Sequence, residues 1–328
     1  MAIATRDLVG VDADALSALM RRIEDDHPTG FCLGAVEIRE LMGKVDNVFE
    51  GAFDGDDLVA YTSLFPSVPD DTGLRIILFG DVDPARLGEG IGTLMLGRSL
   101  DRARAIRSGV APEGTARVVA TTLAGRDDQT DLVVRAGMRP WRHSFLMVAR
   151  LGRRPPVGLP SGYSVAAFDP EAAEELRQAH NAAFAGYPDR PDASPDFWTM
   201  FVVGAAHARH ALSAVARDER GSVASYVLAH EYAVTPSGGP GPEVHVPYVG
   251  TLPEHRGRGL ASGLLADVLR RASAAGYLTA SLHVDGANPT GALRIYERAG
   301  FRQRYRQDSY VLEVSPTGGP SGGDSVSR

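Results

Sequence analysis

The sequence has one cysteine, Cys32, so it cannot form a disulfide bond within one chain. Its cysteine and histidine residues are not grouped at metal-ligand spacing, and we expect no metal site. No apolar run approaches the roughly 20 residues that span a membrane, and the first residues lack the apolar core of a signal peptide. We therefore expect a cytoplasmic protein that does not bind a membrane.

An excess of positive charge is also absent. The formal net charge is −7 at pH 7, which argues against a nucleic-acid binder, because such proteins neutralise phosphates with lysine and arginine. A mildly acidic chain suits a cationic partner such as an amine, although acidity also serves solubility. With 44% hydrophobic and 23% charged residues, the composition is that of an ordinary globular protein.

The chain is long enough for two domains, and its two halves look alike. Its 328 residues exceed the roughly 100–200 of a typical single domain. Residues 151–162 are rich in Pro, Gly and Arg and predict a linker, and residues 315–328 predict a disordered tail. Residues 1–150 and 163–314 each run through a helix, short strands, a strand with a glycine-containing loop, a long helix and a final strand–helix–strand. This order predicts a tandem duplication with a mixed α/β sheet in each half.

The segment HRGRGLA at 255–261 joins a predicted strand to a predicted helix. A helix N-terminus attracts anions through its unpaired amides, and glycines let several amides point into one concavity. The candidate phosphate-binding residues are Arg256, Gly257, Arg258, Gly259, Leu260 and Ala261. No Gly-Lys-Ser/Thr follows, so the segment is not a P-loop. From these residues alone, a solvated surface turn stays an alternative.

A second motif, VDGANPTGALRIYERAGF, follows about thirty residues later. Asn288 followed by Pro289 predicts the start of a helix, and Gly300 predicts its end. Tyr296 lies inside this short helix. From the residues alone it is either a packing residue with its hydroxyl at the surface or a functional group.

Together, R-x-x-G-x-A after a strand and N-(x)n-Y-x-x-x-G-F resemble the GCN5-related N-acetyltransferases (GNAT). The resemblance implies two tandem α/β (α+β) domains, each with a mixed, mostly antiparallel sheet flanked by helices, and acetyl-CoA as cosubstrate. It implies that the loop amides bind the pyrophosphate and that Asn288 belongs to the same site. It also implies that backbone groups of Val249, Gly250 and Thr251 pair with the pantetheine arm, and that Tyr296 protonates the departing thiolate.

The base of such a reaction has two candidates. An alkyl amine has a pKa near 10 and must lose a proton to attack near pH 7. Members of the family commonly carry the base fourteen residues before the first glycine of the G-x-A pattern, which leads to His245. Glu243 lies two residues earlier, on the same face of an extended strand, as a second candidate or an orienting partner. An exposed strand face with alternating polar residues is the alternative without a catalytic role.

The first half lacks the matching residues. Leu87 stands at the position of Arg256, and Glu89 stands at that of Arg258, where a carboxylate would repel a pyrophosphate. The positions that match His245 and Tyr296 are occupied by Ile76 and Val133. We therefore expect a degenerate first domain and a catalytic second one. Weak coenzyme A binding, a share in the substrate site or a supporting role stay open for the first domain.

The sequence thus predicts an N-acetyltransferase that acts on the primary amine of a small molecule. A degenerate first half before an active second half is similar to the mycothiol synthases of this family, although those have glutamate where His245 stands. A protein N-acetyltransferase and a non-catalytic acyl-CoA-binding sensor stay as alternatives. Because a duplication can replace a homodimer interface, we expect a monomer.

Overall fold

A computed structural model describes residues 3–29, 32–69, 73–153, 158–187, 192–232, 234–286 and 291–316, apart from the side chains of residues 200 and 201. By its internal contacts the chain forms two compact units. Unit 1 comprises Met1–Ile23, Ile38–Trp141 and Ser309–Arg328, and unit 2 comprises Glu24–Glu37 and Arg142–Asp308.

Helices and strands alternate along the chain. The helices are α1 (Ala13–Asp26), α2 (Ala35–Met42), α3 (Ile91–Val110), α4 (Asp127–Arg135), α5 (Ala173–Phe184), α6 (Pro195–Trp198), α7 (Leu260–Ala274) and α8 (Ala292–Arg298). The strands are β1 (Ala4–Asp7), β2 (Val48–Asp54), β3 (Asp57–Pro66), β4 (Leu74–Val82), β5 (Ala116–Leu123), β6 (Arg139–Arg150), β7 (Ser164–Ala167), β8 (Ala214–Arg217), β9 (Val223–Val227), β10 (Glu243–His245), β11 (Val249–Thr251), β12 (Thr279–Asp285) and β13 (Arg302–Val314).

In unit 1 the strands follow the order β1-β2-β3-β4-β5. The pairs from β1 to β4 are antiparallel, and β4 and β5 are parallel, from Leu74 opposite Ala116 onward. The long helix α3 connects this parallel pair and buries Leu96 and Leu100 in the same core as Leu74. The end of β13 contributes Tyr310 to that core, so the last strand of the chain completes the first unit.

In unit 2 the strands form two groups. One has the order β6-β12-β10, with β6 antiparallel and β10 parallel to β12. The other is the antiparallel sheet β11-β9-β8-β7. Helix α7 buries Leu264, Leu265, Val268 and Leu269 at the spacing of one helix face, in a core that also holds Met147 of β6.

The predicted fold class is confirmed: each unit has helices packed on a mixed, mostly antiparallel sheet with one parallel pair.

The two compact units do not coincide with the two halves of the sequence. Residues 24–37 and 142–150, from the first half, belong to unit 2, and residues 309–314, from the second half, belong to unit 1. The domain limits drawn along the chain stay a prediction. Of the predicted linker, Leu151 and Leu159 pack against the core of unit 2, and residues 154–157 lie outside the described residues. So do residues 317–328 of the predicted tail.

Candidate active site

Strands β10 and β11 follow one another along the chain but belong to different sheets. The pairing of β10 with β12 ends with a bond of 2.8 Å from the N–H of Val246 to the carbonyl of Ser281. Beyond this point β11 pairs with β9. Pro247 stands between the two strands and lacks an N–H for continued pairing. β11 is thus separated from the second half of β12.

Two residues of β11 turn their backbone groups away from β9. The N–H of Leu252 bonds to the carbonyl of Ala224 at 3.0 Å, on the β9 side. In an antiparallel ladder, residues two apart face the same side, so Gly250 also faces β9. Val249 and Thr251 therefore direct their N–H and C=O groups toward the separation from β12. Such groups can pair with an extended ligand, and an N–H there can stabilise an oxyanion.

The glycine loop lies at the next bend, between β11 and α7. Gly257 and Gly259 have φ angles of 75° and 82°, in the left-handed region that favours glycine. Within 4 Å of the position of a Cβ at either residue there is no other atom, so the loop surface is open. Gly259 is the N-cap of α7 and offers no side-chain acceptor to the first-turn amides. These amides and the partial positive charge of the helix favour an anion.

The two arginines of the loop hold it in place through their side chains. Arg256 donates from Nε to the carbonyl of Thr251 at 3.3 Å and from Nη2 to that of Ala183 at 2.9 Å. Arg258 donates from Nη1 to the hydroxyl of Tyr163 at 2.9 Å. Each arginine therefore fixes the backbone that carries the loop amides, in addition to adding positive charge.

Glu243 is held firmly by its neighbours. It is buried in β10, where Oε1 accepts from the N–H of Ser237 at 3.2 Å and Oε2 accepts from the Ser237 hydroxyl. Oε2 also accepts from the hydroxyl of Thr279, its partner on β12, at 3.0 Å. With its oxygens engaged in this way, Glu243 is better suited to fixing the strand than to accepting a proton from a substrate.

His245 lies on the same face of β10 and makes one side-chain hydrogen bond. Its Nδ1 is 2.9 Å from the hydroxyl of Ser281, its partner on β12, which leaves Nε2 for another contact. Burial lowers the pKa of His245 well below its ordinary value, and three neighbouring histidines lower it further. The ring is therefore neutral at pH 7 and able to accept a proton.

These neighbours form a cluster of aromatic and imidazole rings around His245. Tyr232 and His283 have ring centroids 5.6 Å from that of His245. His230 forms an antiparallel bridge with His245, with 2.8 Å bonds in both directions. His207 lies 4.6 Å from His230, between ring centroids. The sequence analysis did not single out His283, although the alternation of Ser281 and His283 along β12 was a usable signal.

Tyr296 occupies α8 with its side chain buried. Its ring packs against Phe301, with centroids 6.1 Å apart, and both residues belong to the core of unit 2. Burial raises the pKa of Tyr296 to about 12, with a further contribution from Tyr187, so the hydroxyl keeps its proton at neutral pH. Among the described residues its hydroxyl has no hydrogen-bond partner.

The end of α8 is confirmed, and its start differs from the prediction. Gly300 has a φ of 95°, and the N–H of Phe301 bonds to the carbonyl of Tyr296 at 3.0 Å, as in a Schellman cap. The helix begins at Ala292, with Gly291 as N-cap. The predicted start and candidate ligand Asn288, with Pro289, lies outside the described residues.

In unit 1, the matching loop keeps the backbone conformation but not the side chains. Gly88 and Gly90 have φ angles of 82° and 81°, like their counterparts in unit 2. Glu89 lies between them and accepts hydrogen bonds from the guanidinium of Arg86 at 2.8 to 3.0 Å. Arg86 lowers the pKa of Glu89, so the loop carries a carboxylate charge at neutral pH. Val133, at the position of the tyrosine, is buried in the core.

Neither a metal site nor a membrane span is found in the part of the chain that the structure describes. No group of three or more potential metal-binding side chains converges there. None of its helices is both long enough and apolar enough to cross a bilayer.

Comparisons with known proteins agree with this geometry. The model of the acetyltransferase (GNAT) family matches residues 173–301. The chain is 30% identical over 233 residues to a mycothiol acetyltransferase of Clavibacter michiganensis subsp. michiganensis (strain NCPPB 382), which covers 67% of each chain.

Two solved structures share the fold along nearly the whole chain. A GCN5-related N-acetyltransferase from Sphaerobacter thermophilus has a TM-score of 0.77, with 22% identity and 96% of each chain covered. A tandem GNAT protein from the clavulanic acid biosynthesis pathway, solved without AcCoA, has a TM-score of 0.72, with 18% identity, and the match covers 97% of this chain and all of that one (100%). The chain belongs to the GNAT family of acetyltransferases and is of the tandem type.

Proposed function

We propose that the protein is an acetyl-CoA-dependent N-acetyltransferase that transfers an acetyl group to the primary amine of a small molecule in unit 2. The observation that supports this most strongly is the combination of separated strands and an open glycine loop. β11 is not paired with β12, and the backbone groups of Val249 and Thr251 face the space between these strands. In the loop that follows, Gly257 and Gly259 have positive φ angles and no atoms close to their Cβ positions. An acyl-CoA needs both features: the separation between the strands would take its pantetheine arm and thioester, and the glycine loop would take its pyrophosphate.

The residues present fit this cosubstrate. The amides from Arg256 to Ala261 would hold the pyrophosphate, with the adjacent arginines adding positive charge. The backbone of Val249 and Thr251 would pair with the pantetheine arm, and an N–H of this strand would bind the carbonyl oxygen as it gains negative charge. When bound, acetyl-CoA supplies the acetyl group and a thiolate leaving group.

The proton transfers have candidate residues. We favour His245 over Glu243 as the base of β10, because His245 is neutral and has a free ring nitrogen, whereas Glu243 accepts hydrogen bonds from Ser237 and Thr279. His245 would accept the amine proton directly or through an intervening group. Tyr296, which keeps its proton because its pKa is raised, would donate it to the departing thiolate.

The relative with 30% identity favours one acceptor as a second candidate, namely the substrate of a mycothiol acetyltransferase. The general and the specific function are separated by a substrate test, in which the purified chain is offered acetyl-CoA with simple primary amines and with the mycothiol precursor. Acetylation of the precursor alone would favour the specific function.

The first test is calorimetric titration of acetyl-CoA into the full chain. We expect one site per chain, abolished by Gly259→Asp, because a carboxylate in the loop repels the pyrophosphate. Gly276→Asp is the matched control, since Gly276 also has a positive φ, of 94°, and an open Cβ position but lies beyond the other end of α7. Absence of binding to the wild-type chain, or equal effects of both substitutions, would contradict the proposed site.

A further inference from the structure

His283 lies on β12 just beyond the point where β10 and β12 separate. It follows Ser281 by two residues, so both side chains lie on the same face of the strand, which is the face that contacts His245. The ring centroids of His283 and His245 are 5.6 Å apart. Since pairing with β10 ends at Ser281, His283 is at the wall of the separation that the proposed function assigns to the thioester.

The two histidines differ in their access to solvent. His245 is 6% exposed, and its Nδ1 is engaged by Ser281. The side chain of His283 is exposed to solvent. An amine that arrives from solvent therefore meets His283 before His245.

The surroundings of the pair keep both rings uncharged at neutral pH. Partial loss of hydration lowers the pKa of His283, and burial lowers that of His245. Other titratable groups facing His245 are the phenol of Tyr232 and the rings of His230 and His207. The strand on the other side of β12 places Leu146 opposite His283. A positive charge on one ring disfavours protonation of the other, so at most one of the two rings is charged at a time.

We propose that His283 is a catalytic residue, which accepts the proton of the acceptor amine first and passes it to His245, the base of β10 behind it. This rests on the proposed N-acetyltransferase function. The amine nitrogen forms a bond to the thioester carbonyl carbon, and the C–S bond breaks. One amine proton passes to a ring nitrogen of His283, from there to His245 and then to solvent. The thiolate takes the proton of Tyr296, and a proton from solvent restores the phenol.

The test compares two amines that differ in their need for a base. Propylamine is almost fully protonated at pH 7, whereas hydroxylamine is mostly neutral. The full chain is assayed with saturating acetyl-CoA by release of free thiol. In His283→Gln we expect kcat/KM for propylamine to fall about 100-fold and that for hydroxylamine to change less than about threefold. At pH 10, where roughly a quarter of the propylamine is neutral, most of the loss should disappear.

A matched control is His210→Gln, because His210 bonds to the carbonyl of Val203 at 2.7 Å, away from β12. It should change neither rate. Acetyl-CoA affinity, measured by calorimetry, should be the same in all three proteins. The assignment of His283 is overturned if His283→Gln keeps half or more of the propylamine rate, or if it loses both rates equally while binding acetyl-CoA normally.

A second measurement covers the case in which His283→Gln does not bind acetyl-CoA. The wild-type chain is treated with diethyl pyrocarbonate and mapped by mass spectrometry. Modification of His283 that removes propylamine turnover and spares hydroxylamine turnover supports the assignment, and modification that spares both overturns it. If the wild-type chain acetylates neither amine, the proposed acetyltransferase function is contradicted, and the role of His283 with it. If the wild-type chain is active and only the result for the His283 variant differs from expectation, the role of His283 alone is contradicted.

Discussion

Gly250 of β11 lies directly against the ring of Tyr226 on the neighbouring strand β9. A Cβ at residue 250 would come within 2.3 Å of Cε1 of that ring. The phenol continues past the strand and its hydroxyl lies 2.6 Å from Nδ1 of His180 on α5. The position of β11, and with it the backbone that faces the separation from β12, is therefore fixed by a buried ring that only glycine accommodates.

Gly250→Ala should destabilise the protein. The added methyl group must displace either the fully buried Tyr226 or the strand itself, which costs about 1–3 kcal/mol in a packed core. The free energy of unfolding from denaturant titration measures this loss. Gly152→Ala is the control, because no atom lies within 4 Å of its Cβ position. Equal stability of the two variants would contradict the close contact.

Tyr163→Phe should weaken acetyl-CoA binding without removing it. The Tyr163 hydroxyl accepts from Arg258 at 2.9 Å and lies 2.9 Å from Nδ1 of His255, so it holds both sides of the glycine loop. Loss of a hydrogen bond worth about 1 kcal/mol corresponds to a roughly fivefold higher Kd. Calorimetry measures the change. Tyr277→Phe, which removes a bond to Glu231 outside the loop, should leave the Kd unchanged.

Tyr296→Phe should reduce turnover by about 100-fold while leaving acetyl-CoA affinity within a factor of about two. The hydroxyl is the only group removed, and the ring stays in the core beside Phe301. Since the pKa of Tyr296 is raised to about 12, its proton is retained throughout the usual assay range. The wild-type rate should therefore show no fall from this residue below about pH 11. Wild-type turnover in the variant would remove the tyrosine from the acid role and favour a sensor function.

Stability should fall as the pH decreases from 7 to 5, with His230 as one cause. Burial lowers its pKa to about 3, and the charges of His207, Arg209 and His210 also act to lower it. Because the unfolded chain binds a proton near pH 6.5 and the folded chain does not, protonation favours unfolding between these two values. The contribution at pH 5 is about 2 kcal/mol. His230→Gln should reduce the slope of unfolding free energy against pH, and an unchanged slope would exclude His230 as a cause.

The sequence was sufficient to predict the local features of the site. The left-handed glycines of the loop and the cap at Gly300 each depend on the backbone properties of single residues. The pairing of β10 with β12 was not predictable in this way. Without it, His283 could not be placed beside His245, because their proximity depends on the register of two distant segments.

The same limit applies to the segment 24–37, which the sequence placed in the first half and the structure places in unit 2. There Glu24 and Glu243 act on the same phenol: the pKa of Tyr305 is raised mainly by burial, and the charges of both carboxylates raise it further. Gln307 also donates to the carbonyl of Thr29 at 2.8 Å. Such contacts between distant parts of the chain leave no periodic pattern in either segment.

The assignment of Ser309–Val314 to unit 1 has a consequence for biosynthesis. Tyr310 and Val314 are part of the buried core around Leu74 and α3, yet they are translated after all of unit 2. While the ribosome is still adding residues, the amino-terminal unit therefore lacks its closing strand and exposes apolar surface that chaperones recognise. Its folding cannot finish domain by domain from the N-terminus, and a nascent chain released before Ser309 would contain all of unit 2 but leave the core of unit 1 incomplete.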